Sequence, residues 1–202
     1  MITYLIIGIT VAVSLAAFSS ASLMYRLQFN AAQVVQRKEY YRLVTHAFVH
    51  ANWSHLLVNM LVLFFFGKPI EMYFSYFFGS RATLYFLVLY FGGIFISNAW
   101  AIVKHKNNFH YNAVGASGAV SAVLFAFVFF DPWETIYVYF VPVPGILFAA
   151  GYLIYSYFMT RRKNDNVAHD AHFLGSVYGF LLPALLNPSL FARFIEKLSG
   201  GN

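Results

Sequence analysis

Cysteine is absent from the 202 residues. That excludes disulfides, thiolate nucleophiles and thiolate metal sites. Charge is almost as scarce. Only 10% of the residues are Asp, Glu, Lys or Arg, against roughly 25% in an average soluble domain. Internal repeats and low-complexity linkers are missing too, and no stretch is left over for a separate soluble domain. Hydrophobic residues make up 60% and aromatics 21%. A chain this short cannot hide so much apolar surface from water, so the bilayer must be its solvent.

Six stretches hold no charged residue: 1–25, 43–67, 82–103, 107–130, 135–160 and 171–192. A helix needs about 20 apolar residues to cross the hydrocarbon. The runs are continuously apolar rather than alternating, which implies helices and not barrel strands. The expectation is an all-α membrane protein: one domain over 1–202, a six-transmembrane-helix bundle with spans near 1–23, 53–66, 82–103, 114–130, 145–159 and 168–186. The first run lacks the positive flank and the shorter apolar core of a secretory signal, so it reads as a retained helix. The formal charge of +6 is assigned to basic loops beside anionic lipid headgroups rather than to nucleic acid.

The longest polar stretch, 24–52, mixes Arg26, Arg37, Lys38 and Arg42 with Tyr25, Phe29, Tyr40 and Tyr41. That mixture suits a membrane–water interface and a loop that shapes a site. Gly67, Pro69 and Glu71 are expected to end the second helix and turn the chain. The third segment, with Ser97 and Asn98, reads as scaffold. A polar loop follows the fifth segment at 161–166.

Polar groups within membrane segments are expensive, so each is a functional candidate. Ser117 opens the fourth segment between Gly115 and Gly118. A serine at a helix N-terminus lies beside unpaired backbone N–H groups that can hold an oxyanion; the same small residues also suit plain helix packing. His172 shares a helix face with Gly175 and Gly179, a face able to pack closely on the fourth segment and bring a general base to Ser117. His55 and Asn59, at i and i+4, offer N–H donors from a third helix. Taken singly, each of these reads more simply as interhelical packing or hydrogen bonding. Together they begin the second, fourth and sixth segments, which share one membrane side. No carboxylate presents itself as a third member. Asp170 lies two residues from His172, on another helix face. The reading is therefore a Ser–His dyad.

These residues resemble the rhomboid family of intramembrane serine proteases. Gly115-Ala116-Ser117-Gly118 resembles its GxSG motif. His50, His55 and Asn59 match HxxxxHxxxN, and Ala171-His172 with Gly175 and Gly179 match AHxxGxxxG. Gly67-Lys68-Pro69-Ile70-Glu71 resembles the family's turn after the second helix. The resemblance implies Ser117 as nucleophile and His172 as base. His55, Asn59 and the Ser117 N–H would form the oxyanion hole, with His50 in support. It implies cleavage of transmembrane protein substrates without metal or nucleotide cofactor, in a multi-pass membrane protein. The small size, with no added domains, suggests a prokaryotic plasma membrane. Two departures stand out. Many members carry Tyr four residues after the serine, under the histidine ring, where this chain has Ser121. Many carry Trp-Arg in the first loop, where this chain has Tyr41-Arg42. The resemblance also implies cytoplasmic termini. Loop charge points the other way, with nine Lys or Arg in the odd loops and four on the opposite side. Two rival readings remain: a non-catalytic relative that binds transmembrane helices, and a metalloenzyme ligated by histidines such as His46, His50, His169 and His172.

Overall fold

The computed structural model describes residues 1–138, 140–162 and 168–200; positions 163–166 of the expected polar loop lie outside them. The chain is mostly helical. In order come α1 (Ile2–Phe18), three short helices α2 (Ala21–Leu27), α3 (Ala31–Arg37) and α4 (Arg42–Thr45), then α5 (Trp53–Phe78), α6 (Ala82–His105) and α7 (Ser117–Phe130). A hairpin of β1 (Thr135–Val138) and β2 (Val141–Pro144) follows, with Thr135 opposite Pro144 and Val138 opposite Val141. Then come α8 (Gly145–Arg162), α9 (His169–Leu186) and α10 (Ser189–Leu198).

The centre of the fold is α7. Every residue from Gly118 to Phe130 is buried, as expected of a helix that is apolar on all sides and ringed by others. Its neighbours α5, α6 and α9 pack directly on it. Glycines allow that approach. A Cβ at Gly175 would strike the backbone of Gly118, and one at Gly179 the backbone of Ala122, while Gly93 of α6 rests on Ala119 and Ala122. The outer faces are the reverse of a soluble protein: Leu57 and Phe65 on α5, Val103 on α6 and Leu185 on α9 are all exposed. Apolar exteriors on this scale require a non-aqueous surrounding.

The helical stretch Trp53–His105, which takes in both α5 and α6, is long and apolar enough to cross a membrane. It is broken by a turn at Gly79 (φ +54°), after which α6 packs back along α5. At 26 and 24 residues, the two arms each span roughly 36–39 Å, enough for one crossing apiece. The pair α9 and α10, bent by 119°, passes the same test together, whereas α1, α7 and Gly145–Thr160 are apolar but shorter.

The expected turn at Gly67, Pro69 and Glu71 is not there. Helix α5 runs through Pro69 to Phe78. The polar residue in this run serves another purpose. The Glu71 carboxylate accepts hydrogen bonds from the backbone N–H of Ile2 (3.1 Å) and Thr3 (2.7 Å) and from the Thr3 hydroxyl. It thus satisfies the open N-terminus of α1, and Gly67 leaves room for Thr3 alongside.

The 24–52 stretch folds into a compact cap. Arg42, 3% exposed, donates to the carbonyls of Tyr25 (2.7 Å) and Gln28 (2.8 Å) and pairs with Glu39 at 2.5 Å. That guanidinium holds the Glu39 carboxyl below its ordinary range. The cap docks on the chain just ahead of α7. Phe29 pairs with Ala113 as an antiparallel bridge, and the Asn30 amide donates to the Phe109 carbonyl and the Asn112 side chain.

Candidate active site

Ser117 is the first residue of α7 because the backbone before it is fixed. Gly115 has φ +110°, a conformation that L side chains rarely adopt, and a Cβ there would collide with the His55 ring. Its N–H donates to the His46 carbonyl (2.9 Å), and the next N–H, of Ala116, donates to His50 Nε2 (3.4 Å). Helix α7 then starts with no side-chain cap. By contrast α2, α3 and α5 are closed by Ser20, Asn30 and Asn52. The first turn closes from Val120 N–H to the Ala116 carbonyl (2.9 Å). The N–H groups of Ser117, Gly118 and Ala119 therefore have no acceptor within the helix.

His172 lies one turn into α9, and its Nε2 is 2.7 Å from Ser117 Oγ. The contact depends on the glycine-mediated approach of α9 to α7. For Nε2 to accept the Ser117 proton, the ring must carry its own proton on Nδ1. Asp170 accepts from the Ala171 N–H (3.0 Å). His169 meets the His172 ring edge-on at 6.2 Å.

From α5 come His55 and Asn59. Asn52 accepts from the His55 N–H, and the Asn59 amide donates to the His55 carbonyl (2.9 Å each). An amide nitrogen carries a second N–H. Both side chains line the same cleft as Ser117 and His172, a space of about 1360 Å³ with α5 on one side and α8 on the other.

His50 is fully buried, beneath His55, with the rings edge-on at 5.0 Å. Its Nε2 accepts from Ala116, so Nδ1 carries the proton and donates to Ser14 Oγ (3.0 Å), which in turn donates to the Phe48 carbonyl (3.0 Å). Burial pushes this imidazole down to about 3. One turn earlier His46, pushed down by burial to about 4, accepts from the Asn98 amide at Nε2 (2.7 Å). Sequence reasoning passed over His46, Ser14 and Asn98 as parts of this frame. Asn98 carried a usable signal, since a buried amide in an apolar helix needs a partner. The third segment is thus more than scaffold. Ser97 fills the space against Gly118 and Asn98 fixes His46. Of the histidines that suggested a metal centre, His46 and His50 are engaged in this frame and His172 contacts Ser117. Among the described residues no three His, Asp or Glu side chains gather as metal ligands would.

The sequence model of the Rhomboid domain family matches residues 37–189. The chain belongs to the rhomboid family. Relatives bear this out at modest identity. RHOMBOID-like protein 12, mitochondrial, of Arabidopsis thaliana is 26% identical over 165 residues, covering 74% of this chain and 47% of its own length. RHOMBOID-like protein 6, mitochondrial, from the same plant is 35% identical over 92 residues, 46% of this chain and 27% of its own. The rhomboid protein YdcA of Bacillus subtilis (strain 168) is 27% identical over 151 residues, 75% of this chain and 69% of its own. The chain thus spans less than half the length of the two plant relatives. Rhomboids are membrane proteins and often serine proteases.

Proposed function

We propose that this rhomboid is an intramembrane serine endopeptidase that cleaves transmembrane segments of other membrane proteins. The observation that carries the reading is the 2.7 Å approach of His172 Nε2 to Ser117 Oγ, made between two helices in a cleft that His55 and Asn59 also line. Ser117 Oγ attacks the carbonyl carbon of the scissile peptide bond while His172 takes its proton. The resulting oxyanion accepts hydrogen bonds from the Ser117 N–H, the His55 ring and the Asn59 amide, helped by the uncapped end of α7. His172 then gives its proton to the departing amine, leaving an acyl-serine. A water molecule, deprotonated by His172, attacks that ester and frees the enzyme.

The substrate reaches the cleft between α5 and α8 and must unwind locally, because a helical peptide bond is shielded by its own backbone. The architecture that goes with this reading is one domain of six spans, formed by α1, α5, α6, α7, α8 and α9. Its setting is a prokaryotic plasma membrane, with membrane lipids and transmembrane proteins as partners, cytoplasmic termini, and no metal or nucleotide cofactor.

The test is cleavage of a model transmembrane substrate by the purified protein in liposomes, with and without chelator. Ser117→Ala and His172→Ala are each expected to lower kcat by roughly a thousandfold or more, with the wild type indifferent to chelator. Cleavage that survives Ser117→Ala would sink the mechanism.

A further inference from the structure

Something must hold the His172 ring at the tilt that brings Nε2 to Ser117. The site described so far uses α5, α7 and α9. A fourth helix, α8, walls the same cleft, and its Tyr152 faces the His172 ring. Tyr152 of α8 lies with its ring centroid 6.4 Å from that of His172 and its plane within 21° of the imidazole plane. Near-parallel offset rings attract over about 4.5–7 Å. Tyr152 is itself held on its other sides. Phe148, one turn earlier on α8, stacks on it at 5.6 Å and 21°, and Phe125 of α7 meets it at 5.8 Å and 49°. Its phenol oxygen has the hydroxyls of Ser121 and Ser156 as polar neighbours. Ser121 lies one turn after Ser117 on the same face of α7. The small side chain there leaves the volume that Tyr152 occupies from across the cleft.

We propose that Tyr152 is the positioning residue of His172: its ring, clamped by Phe148 and Phe125, fixes the imidazole tilt that brings Nε2 onto Ser117 Oγ. Because Tyr152 belongs to α8, the alignment of the base depends on how α8 sits against α7 and α9. This inference rests on the Ser–His reading above.

The test compares wild type, Ser117→Ala, Tyr152→Leu, Tyr152→Phe and the pair Tyr152→Leu with Ser121→Tyr, all as full-length protein in liposomes with a model transmembrane substrate. Leucine fills space without a flat ring. Tyr152→Leu should lower kcat roughly tenfold or more while KM stays within about twofold, and should move the acid limb of the kcat/KM profile. Tyr152→Phe, which keeps the ring, should recover most of that loss. Ser121→Tyr placed in the Leu background should recover several-fold, because a ring from α7 enters the vacated volume. Wild-type kcat and an unmoved acid limb in Tyr152→Leu would overturn the proposal. So would equal losses in the Leu and Phe variants with no change in pH profile, which mark a packing role only. Failure of the dyad itself would show separately, as cleavage persisting in Ser117→Ala.

Discussion

Gly115 shows how much one residue can decide. Its φ of +110° and the His55 ring against its Cα leave no place for a side chain. Gly115→Ala should therefore abolish serine labelling by a fluorophosphonate and lower stability by about 1–3 kcal/mol. A variant that labels at the wild-type rate would show that the loop before α7 tolerates another path. His50 and His46 set a pH dependence. Both are neutral in the fold, with values pushed by burial to about 3 and about 4 from an ordinary 6.5. Below pH 6.5 the unfolded chain takes up protons that these rings refuse, so stability is full above that value and falls as the pH drops towards 4. Thermal unfolding in detergent should show a Tm that is level from pH 8 to 7 and declines from 6.5 downward. The decline over pH 6.5–4.5 should be shallower in His50→Gln, and equal slopes would remove His50 from this account. Ser117, His172, His55 and Asn59 could be picked out from the sequence because polar atoms in apolar segments are costly and demand partners. Ser14 could not be. It is one of four serines between positions 14 and 22, and only the fold selects the one facing His50.

At the scale of elements, periodicity and charge located the helices but misjudged their ends. Charges at Lys68 and Glu71 with Pro69 between them mark a boundary in any local reading. The structure keeps the helix going, because Glu71 finds its partners 68 residues away at the start of α1. Such a long-range cap has no local signature. Glu71→Ala should loosen α1 and cost about 1–3 kcal/mol, with Glu71→Gln losing less. A Tm unchanged in the alanine variant would count against the cap. The glycine face of α9, by contrast, could be read from spacing alone, and its purpose is close packing. Gly179→Val should push α9 off Ala122 and separate His172 from Ser117. Its labelling rate should fall by roughly a hundredfold, whereas Gly151→Ala, where a Cβ meets open space, should change nothing measurable. Labelling retained in Gly179→Val would mean that α9 is aligned by other contacts.

For the whole molecule, composition named the solvent before any helix was placed, and the exposed apolar flanks of α5, α6 and α9 agree with it. The cap over 24–52 was visible only as a mixture of basic and aromatic residues. Its folding around Arg42 depends on carbonyls of Tyr25 and Gln28 that no pattern announces. The candidate site is likewise a property of the assembly, since its parts come from helices separated by up to 117 positions, from His55 to His172.

The length of α7 has a further consequence. Its 14 residues rise roughly 21 Å, against about 30 Å of hydrocarbon. Its far end is moored by Asp131, paired with Lys197 at 2.6 Å, next to Trp133. With that end at one surface of the bilayer, Ser117 stops some 9 Å short of the other. The uncapped helix end thus lies at a depth where lipid alone would offer no water. The cleft above it makes up the missing turns, and under the proposed function it has to admit water as well as substrate. On the proposed mechanism, hydrolysis advances no faster than water descends past His55 and His172 to the ester.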